Sequence, residues 1–363
     1  MPRALPVLRD AASRVAVYDV LPPRPSGWGD ERLPPLADAQ GRRYTYLRLS
    51  VTDRCDLACV YCMPPGGEVE HSVRREMLSF EEAARLVRVL AAMGIRRVRL
   101  TGGEPLVRKD VVALVALIRR STPVDALVMT TNATRLAELA APLREAGLTG
   151  VNVSLDSLDP ERFATLTRGG DLTRVLAGIE AALAVGLEVK LNVVPVRGYN
   201  DDELGAIVDW CWERGVTPRF IELMPLGEGA KLGSGARIGS AEVLRRLGER
   251  VAGGLMDARA DHGPARYRGA ADGSERRVGF IAPLSQEFCG TCNRVRITAR
   301  GDVRACLASR RAISLRDVMR SSDDDRELAW AAWWALSGKD EGHRFLDAAE
   351  REHESVGMSL IGG

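Results

Sequence analysis

The chain has 363 residues, 45 % of them hydrophobic, and carries 51 lysines and arginines against 49 aspartates and glutamates. That length buries a large core, enough for one big α/β domain plus an appendage. The near-neutral balance excludes a global nucleic-acid or membrane field, and no apolar run approaches the roughly 18 residues of a membrane span.

The first residues have only a short apolar run, broken by Arg9 and Asp10, and lack a secretory core, so the expected location is cytoplasmic. Residues 1–40 hold Pro22, Pro23, Pro25, Pro34 and Pro35 and read as a partly ordered extension. Strand-like runs then fall at 46–51, 97–101, 126–132, 151–155, 188–194 and 219–224. Helical patterns alternate with them. Ser79 and Glu82 form a capping box before an apolar-periodic run to residue 93, and Asn200 with Glu203 repeats that signature before 206–214. The pattern at 173–185 stops at Gly186, a suitable left-handed cap. Six strand–helix units predict parallel strands with right-handed crossovers, hence an α/β partial (β/α)6 barrel over 41–235. A doubly wound open sheet is the alternative. After residue 226 the pattern breaks, and 236–363 reads as a C-terminal domain.

One face of most strands is polar. Tyr46, Arg48 and Ser50 share a side, as do Arg97, Arg99 and Thr101, Asn152, Ser154 and Asp156, and Lys190 with Asn192. A barrel lumen is ordinarily packed with branched apolar residues. This lumen is therefore wet or filled by a ligand, unless these are edge-like strands with one solvated face.

Seven cysteines in a reducing compartment read as ligands rather than disulfides. Cys55, Cys59 and Cys62 form C-x3-C-x2-C after the first strand, so one loop can wrap a cubane and leave one iron open. Structural zinc needs a fourth ligand, for which His71 is the nearest local choice. Gly102, Gly103 and Glu104 follow the second strand, two residues allowing close backbone approach and one able to receive an ammonium group. In this order the motifs resemble the radical S-adenosylmethionine superfamily. Cys289, Cys292 and Cys306 form a second triad, C-x2-C-x13-C, with iron–sulfur favoured over zinc for want of a fourth ligand. Cys211 lies in an apolar helix beside Trp210 and Trp212 and reads as a core filler.

Two triads with Asn293-Arg-Val-Arg296 after Cys292 resemble the GTP 3′,8-cyclase family of molybdenum cofactor biosynthesis, from about residue 37 to the Gly362-Gly363 end. The resemblance extends over the stretches 46–55, 130–132, 153–157, 220–225 and 279–285. It implies two [4Fe–4S] clusters, one per triad. It places S-adenosylmethionine at Tyr61, Gly103, Ser154 and Met224, and GTP at Arg48, Arg99, Thr130, Lys190, Arg294 and Arg296. It also implies a one-electron reductant of flavodoxin type, a downstream cyclic pyranopterin monophosphate synthase, and a homodimer as one open oligomeric state. Neither nucleic acid nor membrane is an expected partner. The apolar Met358–Ile361 stretch could dock the tail so that Gly362 and Gly363 enter the active site. Asp56-Leu-Ala58, Ala133 and Ala305 depart from the family's usual residues without removing a ligand; Ala58 drops a cation near the cluster, and Ala133 replaces a glycine in a turn. A peptide-modifying radical enzyme and a non-catalytic iron–sulfur carrier are the rival readings.

Overall fold

In the computed structural model, residues 17–65, 71–256, 263–307, 309 and 311–343 are described. The strands are β1 (Val17–Tyr18), β2 (Tyr46–Ser50), β3 (Arg97–Thr101), β4 (Ala126–Thr131), β5 (Gly150–Ser154), β6 (Glu188–Val193) and β7 (Thr217–Ile221), followed by β8 (Val251–Met256), β9 (Arg266–Ala270), β10 (Arg277–Ile281), β11 (Arg294–Ile297), β12 (Asp302–Arg304) and β13 (Arg311–Ser314). β2 to β7 run parallel and side by side in chain order, as six successive strand–helix units require. Two later strands extend this parallel set: β11 pairs with β2 and β10 pairs with β7. The remaining strands continue outward, giving the order β1-β13-β12-β11-β2-β3-β4-β5-β6-β7-β10-β9-β8. Among the described residues no hydrogen bonds close this sheet into a barrel. Among the described residues no helix is long and apolar enough to cross a membrane.

Alternation decides which face is covered. Leu47 and Leu49 of β2, and Val98 and Leu100 of β3, are fully buried in one apolar cluster with Leu86 and Leu90 of α1 (Phe80–Ala92) and Val115 and Ile118 of α2 (Val111–Ser121). The same cluster takes in α3 (Leu136–Glu145), α4 (Pro160–Thr167), α5 (Leu172–Ala184) and α6 (Leu204–Glu213), the last through Cys211, which is the core filler expected. The opposite faces of the strands are left to the polar residues.

Ser79 and Glu82 make the full capping box that begins α1, and Gly186 adopts φ +71° after α5. The second capping expectation is corrected. α6 starts at Leu204, and Asn200 bonds instead to the Asp156 and Val194 carbonyls, at 2.7 and 3.0 Å. Glu203 accepts from Ser157 Oγ and Leu158 N, both at 2.9 Å, so these two residues tie the loop after β5 rather than cap a helix.

Residues 17–28 of the extension are anchored despite their prolines. β1 pairs in parallel with β13, and Trp28 packs on Trp330 at 5.2 Å between ring centres. Trp330 donates to the Pro22 carbonyl at 2.9 Å, and Arg24 bonds Glu327 at 2.8 Å. Residues 22–28 are thereby fastened to the helix Asp325–Ser337.

Candidate active site

The first cysteine loop leaves the C-terminal end of β2. Its Ala58 and Val60 amides donate to the Thr167 and Leu166 carbonyls at 3.2 and 2.9 Å. Arg168, in a left-handed conformation at φ +54°, reaches back to the Ala58 and Met63 carbonyls at 3.0 and 2.6 Å. Across the loop, the Gly103 amide bonds Thr52 O at 2.9 Å and the Glu104 amide bonds Arg54 O at 2.7 Å. A Cβ on Gly103 would lie 2.2 Å from Arg54 O, so only glycine permits this approach. Burial pushes the Cys55 thiol up to about 12 and the Cys62 thiol to about 11, and raises Cys59 as well. Three half-buried free thiols on one loop, protonated unless something takes them as thiolates, suit a cluster that displaces their protons.

Glu104 is fully buried and accepts from Asn132 N at 2.6 Å, Thr131 Oγ1 at 2.8 Å and Leu106 N at 3.0 Å. Burial lifts its carboxyl to about 7 despite these donors. Ala133, next in the same turn, sits at φ +63°, so the turn keeps the left-handed backbone for which the family's usual glycine is suited.

Among the expected S-adenosylmethionine residues, Tyr61 donates to Asp156 Oδ2 at 2.5 Å, and Ser154 ends β5 two residues before it. Gly229 separates Tyr61 from Met224: its Cβ would meet the Met224 carbonyl at 2.6 Å and the Tyr61 carbonyl at 3.4 Å. Gly103 closes the set at the first cysteine loop.

Met224 also lines a cavity on the polar side of the sheet, with Arg48, Arg99, Thr130, Arg294 and Arg296. Sheet register explains the concentration of charge. Arg296, Arg48 and Arg99 stand directly opposite one another across β11, β2 and β3, and Arg304 of β12 continues the row beside Arg296. Residues in such a row project to the same side. Burial, reinforced by Arg296 and Arg99, holds the Arg48 guanidinium well below its usual range, and burial with Arg294 brings Arg296 to about 10. Arg99 bonds the Tyr46 hydroxyl and donates to Thr130 Oγ1 at 3.1 Å. Such a row invites a polyanion.

Lys190 is not brought in with them. It projects from the same side of β6, one inward position before Asn192, but pairs with Glu188 Oε1 at 2.7 Å and does not line the cavity. Arg219 of β7 does, and sequence reasoning passed over it. It is 5 % exposed, donates to Asn192 Oδ1 at 2.6 Å, and its buried Nε has no hydrogen-bond partner among the described residues.

The second triad meets the same cavity: Cys289, Cys292 and Cys306 all line it, with Ala305 beside the last. Burial alone would raise the Cys292 thiol, but Arg294 and Lys339 outweigh it and bring it down to about 6. Arg294 Nη2 and Lys339 Nζ each lie 3.4 Å from its sulfur. A thiolate already formed at neutral pH suits an iron ligand. Ligand atoms of Glu287, Cys289 and His343 also lie within 4.8 Å of one another.

Residues 49–211 match the Radical SAM superfamily, and residues 216–345 match Molybdenum Cofactor Synthesis C. A GTP 3′,8-cyclase from Heliobacterium modesticaldum is 45 % identical over 337 residues, covering 90 % of this chain and 100 % of that one. One from Rhizobium meliloti is 41 % identical over 342 residues, covering 92 % and 96 %.

The chain belongs to the GTP 3′,8-cyclase family.

S-adenosylmethionine and [4Fe–4S] clusters are this family's cofactors, and the two cysteine sets fit such clusters on their own chemistry. The fold is that of radical SAM enzymes. Streptococcus suis SuiB bound to its precursor peptide SuiA superimposes with a TM-score of 0.57 at 17 % identity, covering 81 % of this chain and 66 % of that one. At that identity the likeness speaks for the fold alone. Gly362 and Gly363 lie outside the described residues.

Proposed function

We propose that the chain is a lyase that converts GTP to 3′,8-cyclo-7,8-dihydro-GTP, the first step of molybdenum cofactor biosynthesis. The observation that carries this is a single cavity holding the in-register arginines of β11, β2 and β3, the second cysteine triad and Met224. In this reading Cys55, Cys59 and Cys62 hold the first cluster, and Cys289, Cys292 and Cys306 the second. Reductive cleavage of S-adenosylmethionine at the first cluster supplies the radical that takes the 3′ hydrogen of the GTP ribose.

The chain's own residues then hold and exclude. Tyr61, Gly103, Ser154 and Met224 face S-adenosylmethionine. Arg48, Arg99, Thr130, Arg294 and Arg296 receive GTP, and Arg219 adds a cation from β7. Lys190 joins them only by leaving Glu188. Cys289, Cys292 and Cys306 would hold the second cluster with three ligands, leaving it able to take the guanine. Among the described residues Asp340 is the one carboxylate lining the cavity, next to Lys339 and among the arginines, so fixed positive charge and exclusion of water are the protein's main contribution. The reading also gives Gly362 and Gly363, outside the described residues, a part in cyclisation with Arg294 and Arg296. The reading calls for a cytoplasmic location, a flavodoxin-type donor and a cyclic pyranopterin monophosphate synthase to take the product, with a homodimer compatible.

Anaerobically reconstituted enzyme should contain about eight irons, and Cys→Ala in either triad should lose about four. Deoxyadenosine should form with GTP in step with cyclised product. Iron with no deoxyadenosine under any condition would make the chain a carrier, and deoxyadenosine formed without GTP turnover would favour a peptide substrate.

A further inference from the structure

Lys339 is 5 % exposed, and its ammonium lies 3.4 Å from Cys292 Sγ and 4.9 Å from the centre of the Tyr44 ring. No acidic side chain is paired with it among the described residues. A buried ammonium aimed at a sulfur is a costly arrangement unless that sulfur carries charge. The backbone that presents it is clamped. Arg42 donates to the carbonyls of Lys339, Asp340 and Glu341 at 3.1, 2.7 and 3.1 Å, and to Cys289 O at 3.2 Å. Its Nε bonds Asp38 Oδ2 at 2.5 Å, and the Tyr44 hydroxyl bonds the same carboxylate oxygen. One buried guanidinium thus joins the segment carrying Lys339 to the loop carrying Cys289.

We infer that Lys339 is a positioning residue that poises the second cluster, its ammonium stabilising charge on the Cys292 sulfur while Arg42 fixes its approach. The inference rests on Cys289, Cys292 and Cys306 holding that cluster. Reduction adds one electron to the cluster and no proton leaves Lys339, so a fixed positive charge beside a ligand sulfur favours the reduced state. Arg294 supplies a second donor to the same sulfur, so losing Lys339 weakens the effect without abolishing it.

The test is a redox titration followed by electron paramagnetic resonance on full-length, reconstituted protein. A parallel Cys59→Ala chain identifies which signal belongs to the second triad. Lys339→Gln should lower the reduced-to-oxidised ratio of that signal about tenfold at fixed potential, a shift of about 59 mV for one electron. Lys339→Arg should restore it, and Arg42→Gln should shift it in the same direction as Lys339→Gln. Full iron content with an unmoved potential in Lys339→Gln overturns the role. Loss of the second cluster in Lys339→Gln supports it if Lys339→Arg keeps the cluster at its normal potential, and overturns it if both variants lose the cluster. Unsubstituted protein with about four irons and no second signal refutes the cysteine assignment itself, and Lys339's role with it.

Discussion

Replacing Gly103 by alanine tests whether the first cysteine loop is held by backbone contact alone. The added Cβ would sit 2.2 Å from Arg54 O, 2.5 Å from Arg54 C and 3.0 Å from Cys55 N, all main-chain atoms that no rotamer change can move. Relief requires the strand end and the loop to part by close to 1 Å. That separation strains the two hydrogen bonds across the gap, Gly103 N to Thr52 O and Glu104 N to Arg54 O. Each is worth about 1 kcal/mol, and overpacking of this kind costs about 1–3 kcal/mol, for about 3–5 kcal/mol together. Urea unfolding of the iron-free variant measures that loss directly. The same displacement moves Cys55 from its partners, and 1 Å at a reacting centre costs about a hundredfold in rate. Deoxyadenosine formation should therefore fall about a hundredfold, while the second triad keeps its iron. A variant within 1 kcal/mol of the parent that cleaves S-adenosylmethionine at the parental rate would refute the reasoning.

Other substitutions probe separate parts of the site. Arg99→Ala should weaken GTP binding about ten- to a hundredfold by calorimetry with iron intact, and Lys190→Ala less, because Lys190 must first leave Glu188. Equal losses would show that the pair with Glu188 opposes nothing. Ala133→Gly should raise the unfolding free energy by about 0.5–1 kcal/mol, since relief of the left-handed backbone exceeds glycine's added chain entropy. A lower urea midpoint would mean that the buried methyl group matters more than the backbone. Deleting Gly362 and Gly363 should leave fold and iron unchanged and abolish cyclisation; turnover at the full-length rate would make the tail dispensable.

The strand alternation made Arg48 and Arg99 legible, because period-two patterning puts a residue on a face without knowledge of its neighbours. Arg219 escaped for a related reason. The run was read from residue 219, which put Arg219 at a strand's first position, whereas β7 begins at Thr217 and sets Arg219 in its middle. Lys190 shows the converse. Its face was right, but a partner two residues away on the same strand, Glu188, takes its charge. The cysteine triads were readable because their spacing is local. The setting of Lys339 was not, since Arg42 lies 297 positions from it and Cys292 lies 47. Asn200 and Glu203 matched a helix-start signature, but hydrogen-bonding side chains serve any nearby orphan group, and here the loop at 156–158 supplied it.

The placement of β10 and β11 bears on how the molecule comes into being at the ribosome. β2 emerges early, with one edge destined for a strand made of residues 294–297, and β7 must likewise await residues 277–281. Until those segments are synthesised, the nascent sheet presents two parallel borders of unsatisfied amides and carbonyls, the template on which chains pair wrongly. The catalytic core and the C-terminal third are therefore one folding problem rather than two. A fragment cut between them would expose both borders at once, and it should need a chaperone or aggregate.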